Sequence, residues 1–281
     1  MRIIVDSGST KTDWRIINSL HSNIKSIQTK GINPVLYSRE YILKEIQKIN
    51  NIINPELVER LDFYGSGCSS AFTVSELESI LKLIFVNAHV FVYSDLLAAV
   101  LATLGKKKGL AIILGTGANI AFADKGRILK TKSGNGYILG DEGSGAYIGK
   151  CLIKDYLNGY VPKDVIELLN ERNVDKDYII DRVYRREKPN LFLAEFSILI
   201  KDNIHLSYFQ NLVRDCFLTM IDTHLLDVDT KDSIHIGIVG SIGFYFKDIL
   251  ELAFLDRGFT KMNVLKSPID ALVDYHISNF Q

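Results

Sequence analysis

The sequence IIVDSGSTKTDWRII at residues 3–17 decides the fold. Three apolar residues lead into Asp6, a turn of small residues around Gly8 follows, and a second apolar run begins at Trp14. This order predicts a strand, a tight turn and a second strand. Such a turn exposes several backbone N–H groups in one concavity, and no bulky side chain keeps an anion away from them. The stretch therefore predicts a β-hairpin that can bind phosphate.

A second stretch, LAIILGTGANIAFA at residues 110–123, repeats this design. Its first turn glycine, Gly115, lies 107 residues after Gly8. One glycine turn between two strands is weak evidence for a phosphate site. Two of them, one in each half of the chain, indicate a duplicated fold that grips a polyphosphate from both sides.

The pattern around the two turns also repeats, because in each half three strands are followed by alternating helices and strands. Predicted strands lie near residues 2–5, 14–18, 24–29, 61–64, 89–93, 110–114, 119–123, 127–131, 233–239 and 261–265. Predicted helices lie near residues 38–50, 74–86, 95–104, 244–255 and from 268 onward, and residues 163–230 read as helical. We expect two α/β lobes, residues 1–107 and residues 108–281, the second with a helical insertion at 163–230. A cleft between lobes is the expected place for a small-molecule site.

Composition narrows the classes of function. The 281 residues include 33 basic and 33 acidic side chains, and this balance argues against a general nucleic-acid or anionic-membrane partner. The three cysteines, Cys68, Cys151 and Cys216, form no C-x-x-C pair, so neither a disulfide framework nor a zinc site is predicted. With no signal-peptide pattern at the N-terminus and no long apolar stretch, we expect a cytoplasmic protein without membrane spans.

Five motifs, taken in order, resemble the BadF/BadG-type ATPases and the N-acetylglucosamine kinases of the sugar kinase, Hsp70 and actin superfamily. They lie at residues 6–12, 94–99, 115–117, 140–145 and 239–243. The resemblance spans nearly the whole chain, and the Gly-Asp-Glu-Gly-Ser-Gly segment at 140–145 is its most specific part. It implies two ribonuclease H-like (actin-like ATPase) lobes with mixed five-stranded sheets, ATP and Mg²⁺ as cofactors, and a small sugar as substrate.

The resemblance also assigns the nucleotide residues. In the family the matching Asp usually holds Mg²⁺ through water, since this ion keeps several of its waters, and Asp6 would hold Mg²⁺ in the same way. The residues implied for ATP are Gly8, Ser9, Thr10, Lys11, Gly115, Thr116, Gly117, Gly145, Gly240, Ser241 and Gly243. The chain has serine at positions 7, 9 and 241, where the family more often has glycine, and Ser7 and Ser9 fit only if their backbone angles are ordinary. Taken alone, Asp6 also fits a plain hairpin turn.

For the sugar, the resemblance implies a catalytic base and several hydroxyl ligands. Asp95 would accept the proton of the attacking hydroxyl, although an Asp at this place also fits a helix N-cap. The residues implied for sugar binding are Asn33, Asp95, Thr116, Asn119 and Asp141. Asp141 also fits a helix cap, and Asn33 before Pro34 also fits a turn. The turn at residues 65–68 is expected to open onto the same site.

The resemblance thus predicts an ATP-dependent kinase for an amino sugar, N-acetylglucosamine first, that makes the 6-phosphate. One alternative is a BadF-type ATPase that activates a dehydratase, but these activators bridge an iron–sulfur cluster with two cysteines per subunit, and no cysteine here lies in such a motif. A glucokinase-like repressor is disfavoured because the chain has no Cys-rich or helix-turn-helix segment. A nucleotide-binding sensor without catalysis is the non-enzyme alternative. A homodimer is an arrangement that the helical stretch allows.

Overall fold

The computed structural model describes residues 1–18, 24–132, 134–226, 228 and 233–279. The end of the predicted helical stretch (227, 229 and 230) and residues 280 and 281 lie outside the described residues. The chain divides into two compact units. Unit 1 contains residues 1–106 and 267–281, and unit 2 contains residues 107–266.

The helices and strands lie close to their predicted positions. The strands are β1 (Arg2–Ser7), β2 (Lys11–Ile17), β3 (Ile24–Lys30), β4 (Arg60–Gly65), β5 (His89–Ser94), β6 (Gly109–Leu114), β7 (Ala118–Asp124), β8 (Arg127–Thr131), β9 (His235–Val239) and β10 (Lys261–Leu265). The helices are α1 (Arg39–Gln47), α2 (Ala71–Lys82), α3 (Asp95–Thr103), α4 (Gly136–Leu139), α5 (Gly145–Leu157), α6 (Lys163–Glu171), α7 (Lys176–Tyr184), α8 (Pro189–Asp202), α9 (Ser207–His224), α10 (Ser241–Tyr245), α11 (Lys247–Leu255) and α12 (Ile269–Asn279). Short 3₁₀ turns follow α1, at Lys48–Asn51 and Pro55–Leu57.

Two helix predictions are corrected. The helix expected at 244–255 is two helices, α10 and α11, which meet at Phe246. The helix expected to begin at residue 74 begins at Ala71, because the Ser70 hydroxyl accepts the N–H of Thr73 at 3.1 Å and Thr73 completes a capping box.

In unit 1 the described strands form a five-stranded sheet in the order β3-β2-β1-β4-β5. Strand β2 is antiparallel to β1 and β3, whereas β1, β4 and β5 are parallel. Ser7 lies opposite Gly65, which lies opposite Ser94. Because the carboxyl ends of parallel strands meet at one edge of a sheet, the residues that follow β1, β4 and β5 are gathered there.

Helices cover both faces of this sheet. Ile46 of α1 and Leu77 of α2 pack in one core cluster with the strands. On the other face, Leu272 and Val273 of α12 share a cluster with Ile4. The contacts therefore place residues 267–281 in unit 1, whereas the sequence analysis placed all residues after 107 in the second lobe. An amphipathic pattern predicts that a helix is buried on one side, but it does not say against which sheet.

Unit 2 repeats this architecture. Its described strands form a sheet in the order β10-β9-β6-β7-β8, with β7 antiparallel to β6 and β8, and with β6, β9 and β10 parallel. The first three strands of each unit thus form a meander, and the last two extend it in parallel. This equivalence confirms the predicted duplicated fold of mixed five-stranded sheets flanked by helices. Helices α6 to α9 supply most of the helical stretch predicted at 163–230 and join the core around β6 and β9.

Helices α5 and α8 approach each other so closely at Gly149 that a Cβ there would overlap the carbonyl oxygen of Leu193. We therefore expect Gly149→Ala to lower the free energy of unfolding by about 3 kcal/mol, as in an overpacked core. Helix propensity alone predicts the opposite sign, a gain of about 1 kcal/mol. Urea unfolding measures the change, and a variant as stable as the native chain or more stable would contradict this account of the helix contact.

Candidate active site

Several residues predicted to bind ligands or to catalyse the reaction lie at one edge of the unit 1 sheet. We call it the first half-site and define it as Asp6, the turn at residues 7–11, Asn33, the turn at residues 65–68, and Asp95. Asp6 is the penultimate residue of β1, the second turn follows β4, and Asp95 follows β5. The pairing of the parallel strands places these segments side by side.

The turn at residues 7–11 closes as a hairpin, in which the N–H of Gly8 donates to the carbonyl of Lys11 at 3.0 Å. Neither Ser7 nor Ser9 has a positive φ, so both serines adopt backbone angles open to any residue. The buried Ser7 hydroxyl lies 2.6 Å from that of Thr12 and also accepts the N–H of Ile32 at 3.0 Å. Ser7 is therefore compatible with the hairpin, and its hydroxyl connects the hairpin to the segment that follows β3.

Asn33 is held against this hairpin. Its side-chain N–H donates to the Ser9 hydroxyl at 3.2 Å, and its side-chain oxygen accepts the N–H of Val35 at 2.9 Å. The Tyr37 hydroxyl donates to the carbonyl of Ser9 at 2.9 Å. An amide has two donors and two acceptor lone pairs, so the side chain keeps capacity for a further ligand. The predicted sugar residue and the predicted phosphate turn are thus joined directly.

Asp6 carries a strongly perturbed carboxyl group. Burial, followed by the nearby charges of Asp13 and Asp95, raises its pKa to about 7, and Lys11 and Ser267 act in the opposite direction. The Ser267 hydroxyl donates to Asp6 at 3.4 Å. Carboxylates that repel one another in a partly buried place favour a cation, and hard oxygen donors suit Mg²⁺. The donor set therefore fits the ion that the resemblance implies.

Asp13 is a residue of this site that the sequence analysis missed. It lies opposite Asp6 on the paired strands β1 and β2 and is buried. Its carboxylate accepts the Lys11 ammonium and the Gln28 amide, each at 2.8 Å. Lys11 is thus held over the hairpin by an ion pair. The spacing in the sequence could have revealed this ion pair. Lys11 and Asp13 are two residues apart in a strand, so their side chains lie on the same face of the sheet.

Asp95 is the first residue of α3, but it is not the helix cap. Ser94 is the cap, since its hydroxyl accepts the N–H of Leu97 at 3.2 Å. The Asp95 carboxylate accepts the N–H of Leu96 at 2.8 Å and also bonds to Ser66. Burial raises the pKa of Asp95, and these hydrogen bonds partly offset the effect. Ser94, not Asp95, therefore caps α3. The Asp95 carboxylate stays available for another role.

The turn at residues 65–68 completes the first half-site. The N–H of Ser66 donates to the carbonyl of Ser7 at 2.9 Å, which ties the turn to β1. Burial, and to a lesser extent the charge of Asp95, raises the pKa of the Cys68 thiol to about 12. Cys68 is therefore a small buried residue rather than a nucleophile.

Gly67 has a φ of +83° and leaves room for Asn33, because a Cβ there would overlap the Asn33 side-chain oxygen. We expect Gly67→Ala to displace that amide and to raise the KM for the sugar about tenfold, as expected for a shifted contact. Gly105→Ala is the matched control, since Gly105 also has a positive φ, +58°, but no atom lies within 4 Å of its Cβ position. Steady-state kinetics with each variant checks this, and an equal KM in both variants would contradict a sugar role for Asn33.

The second half-site belongs to unit 2 and consists of the turn at residues 115–119, the segment at 140–145 and residues 240–243. The N–H of Gly115 donates to the carbonyl of Gly117 at 3.0 Å. The first amides of α5 reach this turn, because Gly145 donates to the carbonyl of Gly115 at 2.9 Å and Ala146 to that of Thr116 at 3.0 Å. The N-terminus of α5 therefore lies directly on this turn.

Asp141 faces the same turn. Its φ is +59°, its side chain is buried, and its carboxylate accepts the backbone N–H of Ala118. A Cβ on Gly117 would come within 2.8 Å of this carboxylate, so only glycine allows the approach. Burial raises the pKa of Asp141. The cap of α5 is Ser144, which accepts the N–H of Tyr147 at 3.2 Å, so the capping alternative for Asp141 is wrong.

The remaining predicted residues of unit 2 have mostly local roles in the structure. The Asn119 side-chain oxygen accepts the N–H of Ile120 at 3.0 Å. Gly240 has a φ of +128° and abuts the carbonyl of Leu114, so the turn itself requires glycine there. Ser241 begins α10 without a side-chain capping bond, and Gly243 packs against Ile238. Their contacts with ATP stay predictions.

Sequence reasoning also missed the partner of Glu142. The His224 ring nitrogen Nε2 lies 2.9 Å from the Glu142 carboxylate. The two residues are 82 positions apart, and nothing in the sequence links them. Nearby, Lys130, Thr131, Lys132, Thr223, His224 and Leu226 line a surface cavity of about 400 Å³.

The described residues contain neither a cluster of metal-ligating side chains nor a helix that could span a membrane. Among residues 1–18, 24–132, 134–226, 228 and 233–279, no three or more His, Cys, Asp or Glu side chains are grouped so that they could hold a metal ion. No helix in the same part of the chain is long and apolar enough to cross a membrane. The three cysteines are unpaired by disulfides.

Three known proteins are similar to this chain over nearly its full length. A solved structure of a proposed N-acetylglucosamine kinase from Porphyromonas gingivalis has 34% sequence identity and a TM-score of 0.92, with full coverage of both chains. One of a proposed N-acetylglucosamine kinase from Chromobacterium violaceum has 17% identity and a TM-score of 0.78 over 98% of each chain. An N-acetylmuramic acid/N-acetylglucosamine kinase of Clostridium acetobutylicum is 22% identical over 295 residues, which cover 95% of this chain and 94% of that protein. No family model matches the chain.

The duplicated mixed sheets are those of the actin-like ATPase fold. Since the Porphyromonas structure is 34% identical over its full length, the chain belongs to the N-acetylglucosamine kinase-like family of sugar kinases. It is a carbohydrate kinase that uses ATP and acts on a small sugar. The predicted resemblance and enzyme class are thereby confirmed.

Proposed function

We propose that this kinase transfers the γ-phosphoryl group of ATP to the 6-hydroxyl of N-acetylglucosamine, with Asp95 as the general base. The proposal rests on Asp95, which lies partly buried at the carboxyl edge of the sheet, near enough to Asp6 to raise its pKa, and which does not cap α3 because Ser94 does. The choice of sugar is supported by the names of the three relatives described above, each of which includes N-acetylglucosamine, although the Clostridium protein is also named for N-acetylmuramic acid.

Two small-residue turns serve the phosphates in this proposal. Backbone amides of the turn at 7–11 and of the turn at 115–117 bind phosphate oxygens, as small-residue turns do. Lys11 adds positive charge, held in place by Asp13. Gly145, Gly240, Ser241 and Gly243 line the nucleotide through close backbone approach.

Asp6 would hold Mg²⁺ at this site. Burial raises its pKa most, nearby negative charge raises it further, and a bound cation would relieve the repulsion. The ion supplies charge neutralisation for the phosphates when it is bound. The charges of Asp13 and Asp95 act on Asp6 and add to the negative potential that would attract the ion.

Asp95 accepts the proton of the sugar hydroxyl. Its hydrogen bonds to Leu96 and Ser66 fix the carboxylate, so that an oxygen can lie within reach of the attacking group. Phosphoryl transfer depends chiefly on positioning and charge, so the base does not need a high pKa. Asn33, Thr116, Asn119 and Asp141 orient the other sugar hydroxyls.

A coupled assay of ADP release tests the proposal, with ATP, Mg²⁺ and a panel of N-acetylglucosamine, N-acetylmuramic acid, N-acetylmannosamine and glucose. We expect N-acetylglucosamine to have the highest kcat/KM. Preference for another sugar would correct the substrate alone. If calorimetry shows ATP binding but no sugar accelerates ADP release, the result would favour a nucleotide sensor. Iron in protein purified without air would favour a dehydratase activator. The homodimer, the cytoplasmic location and the absence of nucleic-acid partners stay predictions.

A further inference from the structure

We propose that Glu142 and His224 form a positioning pair that holds Asp141 in its sugar-binding conformation. The inference rests on the proposed function, because it assumes that Asp141 binds the sugar. It assigns a role to two residues that the reaction itself does not use. Neither residue is expected to touch the sugar or ATP.

The pair is well formed and largely shielded from solvent. His224 Nε2 lies 2.9 Å from a Glu142 carboxylate oxygen, and the side chains are 9% and 15% exposed. With its Nε2 protonated, the ring donates to the carboxylate whether the imidazole is neutral or charged. A shielded hydrogen bond to a carboxylate is stronger than one at the surface.

Other contacts within unit 2 hold His224 in place. It is the last residue of α9, and its backbone carbonyl accepts the Lys132 ammonium at 3.0 Å. The N–H of Lys132 in turn donates to the carbonyl of Ile120 in β7. The pair therefore connects the segment at 140–145 to the end of a long helix and, through Lys132, to the sheet.

Asp141 needs such an anchor because of its backbone. A positive φ is unfavourable for a residue with a side chain, and it persists only where the surroundings enforce it. Gly143, two residues on, also has a positive φ, +77°, and a Cβ there would lie 3.1 Å from the sulfur of Met220 in α9. The segment thus lies along α9 through Glu142 and Gly143, while the carboxylate of Asp141 contacts the turn after β6.

The two neighbouring acidic residues therefore have separate tasks. Asp141 accepts the Ala118 N–H beside Gly117, where a ligand hydroxyl would be bound. Glu142 contacts His224 and so fixes the direction from which Asp141 approaches. If Glu142 loses its carboxylate, we expect the Asp141 backbone to relax and its carboxylate to shift relative to the turn.

The test compares Glu142→Ala, Glu142→Gln and His224→Ala in the full chain. Wild-type sugar phosphorylation is measured first, so a failure of the proposed function appears there as absent activity. In an active enzyme we expect Glu142→Ala and His224→Ala each to raise the sugar KM about tenfold, while the ATP KM stays close to that of the wild type. Glu142→Gln keeps an acceptor oxygen for the ring and should restore most of the sugar affinity. The double variant should be no worse than either single variant, because both remove one contact.

Glu251→Ala is the matched control. Glu251 pairs with Lys247 at 3.5 Å on the exposed side of α11, so the same change of residue removes a surface ion pair there. We expect unchanged kinetics in this control. An active Glu142→Ala enzyme with unchanged sugar KM would overturn the proposal. Equal rises in the KM of sugar and ATP, or a Glu142→Gln variant as impaired as Glu142→Ala, would do the same.

Discussion

Replacing Asp95 with Asn is expected to lower kcat for sugar phosphorylation about 1000-fold, the middle of the range for loss of a general base. Asparagine keeps the shape of the side chain and an oxygen that can accept the N–H of Leu96, but it cannot take a proton. Because Asp95 is not the cap of α3, folding should be little affected. ATP affinity, measured by calorimetry, should stay close to that of the wild type.

Asp164→Asn is the control for this experiment. Asp164 lies in the first turn of α6 and accepts the N–H of Val165 at 2.9 Å, as Asp95 accepts that of Leu96 at 2.8 Å. It is exposed and belongs to neither half-site. We expect its substitution to leave kcat unchanged. Full activity in Asp95→Asn would refute the assignment of the base.

Replacing Asp6 with Asn is expected to stabilise the metal-free protein at pH 8 and to weaken its response to Mg²⁺. The folded-state pKa of Asp6, about 7, lies above its ordinary value of 3.8, so the folded protein binds more protons between these values. Stability from the protonated group is therefore present below about pH 4 and lost as the pH rises through about 7. Asparagine does not ionise and avoids this loss.

The size of the effect follows from the pKa. Each unit of pKa shift corresponds to about 1.4 kcal/mol of stability. Because solvent screens a partly exposed group, we expect Asp6→Asn to raise the free energy of unfolding by about 2 kcal/mol, which is roughly 5 °C in the melting temperature. Thermal unfolding with EDTA at pH 5 and pH 8 should show a clearly larger gain in melting temperature at pH 8 than at pH 5, because the loss of stability begins near pH 4 and is complete only above pH 7. Mg²⁺ should then raise the melting temperature of the wild type more than that of the variant. An equal response of both proteins to Mg²⁺ would contradict the metal role of Asp6.

Local patterns predicted the repeated parts of the fold. Alternating apolar runs around Gly8 and Gly115 predicted the two hairpins, because a strand with one buried face has a period of two. The order of the helices and strands then predicted the duplication. The position of α12 could not be predicted, since Leu272 and Val273 would serve equally well against either sheet.

Within the candidate site, single positions were predictable and their partners were not. Asp6 and Asp95 stand at strand ends, where the topology of a parallel sheet collects functional residues. Ser94 and Asp95 are adjacent, and both are residue types that commonly cap helices. Only the side-chain geometry shows that Ser94 is the cap of α3. The contact between Glu142 and His224 depends on how α9 packs in unit 2, and no local pattern encodes it.

The product of the reaction tests the central claim most directly. The wild-type enzyme is incubated with ATP, Mg²⁺ and N-acetylglucosamine, and the product is analysed by phosphorus–proton correlation NMR. We predict one ADP per sugar phosphate and coupling of the phosphorus to the protons on carbon 6. ADP formed without any phosphorylated sugar, or a phosphate on another hydroxyl, would contradict the account.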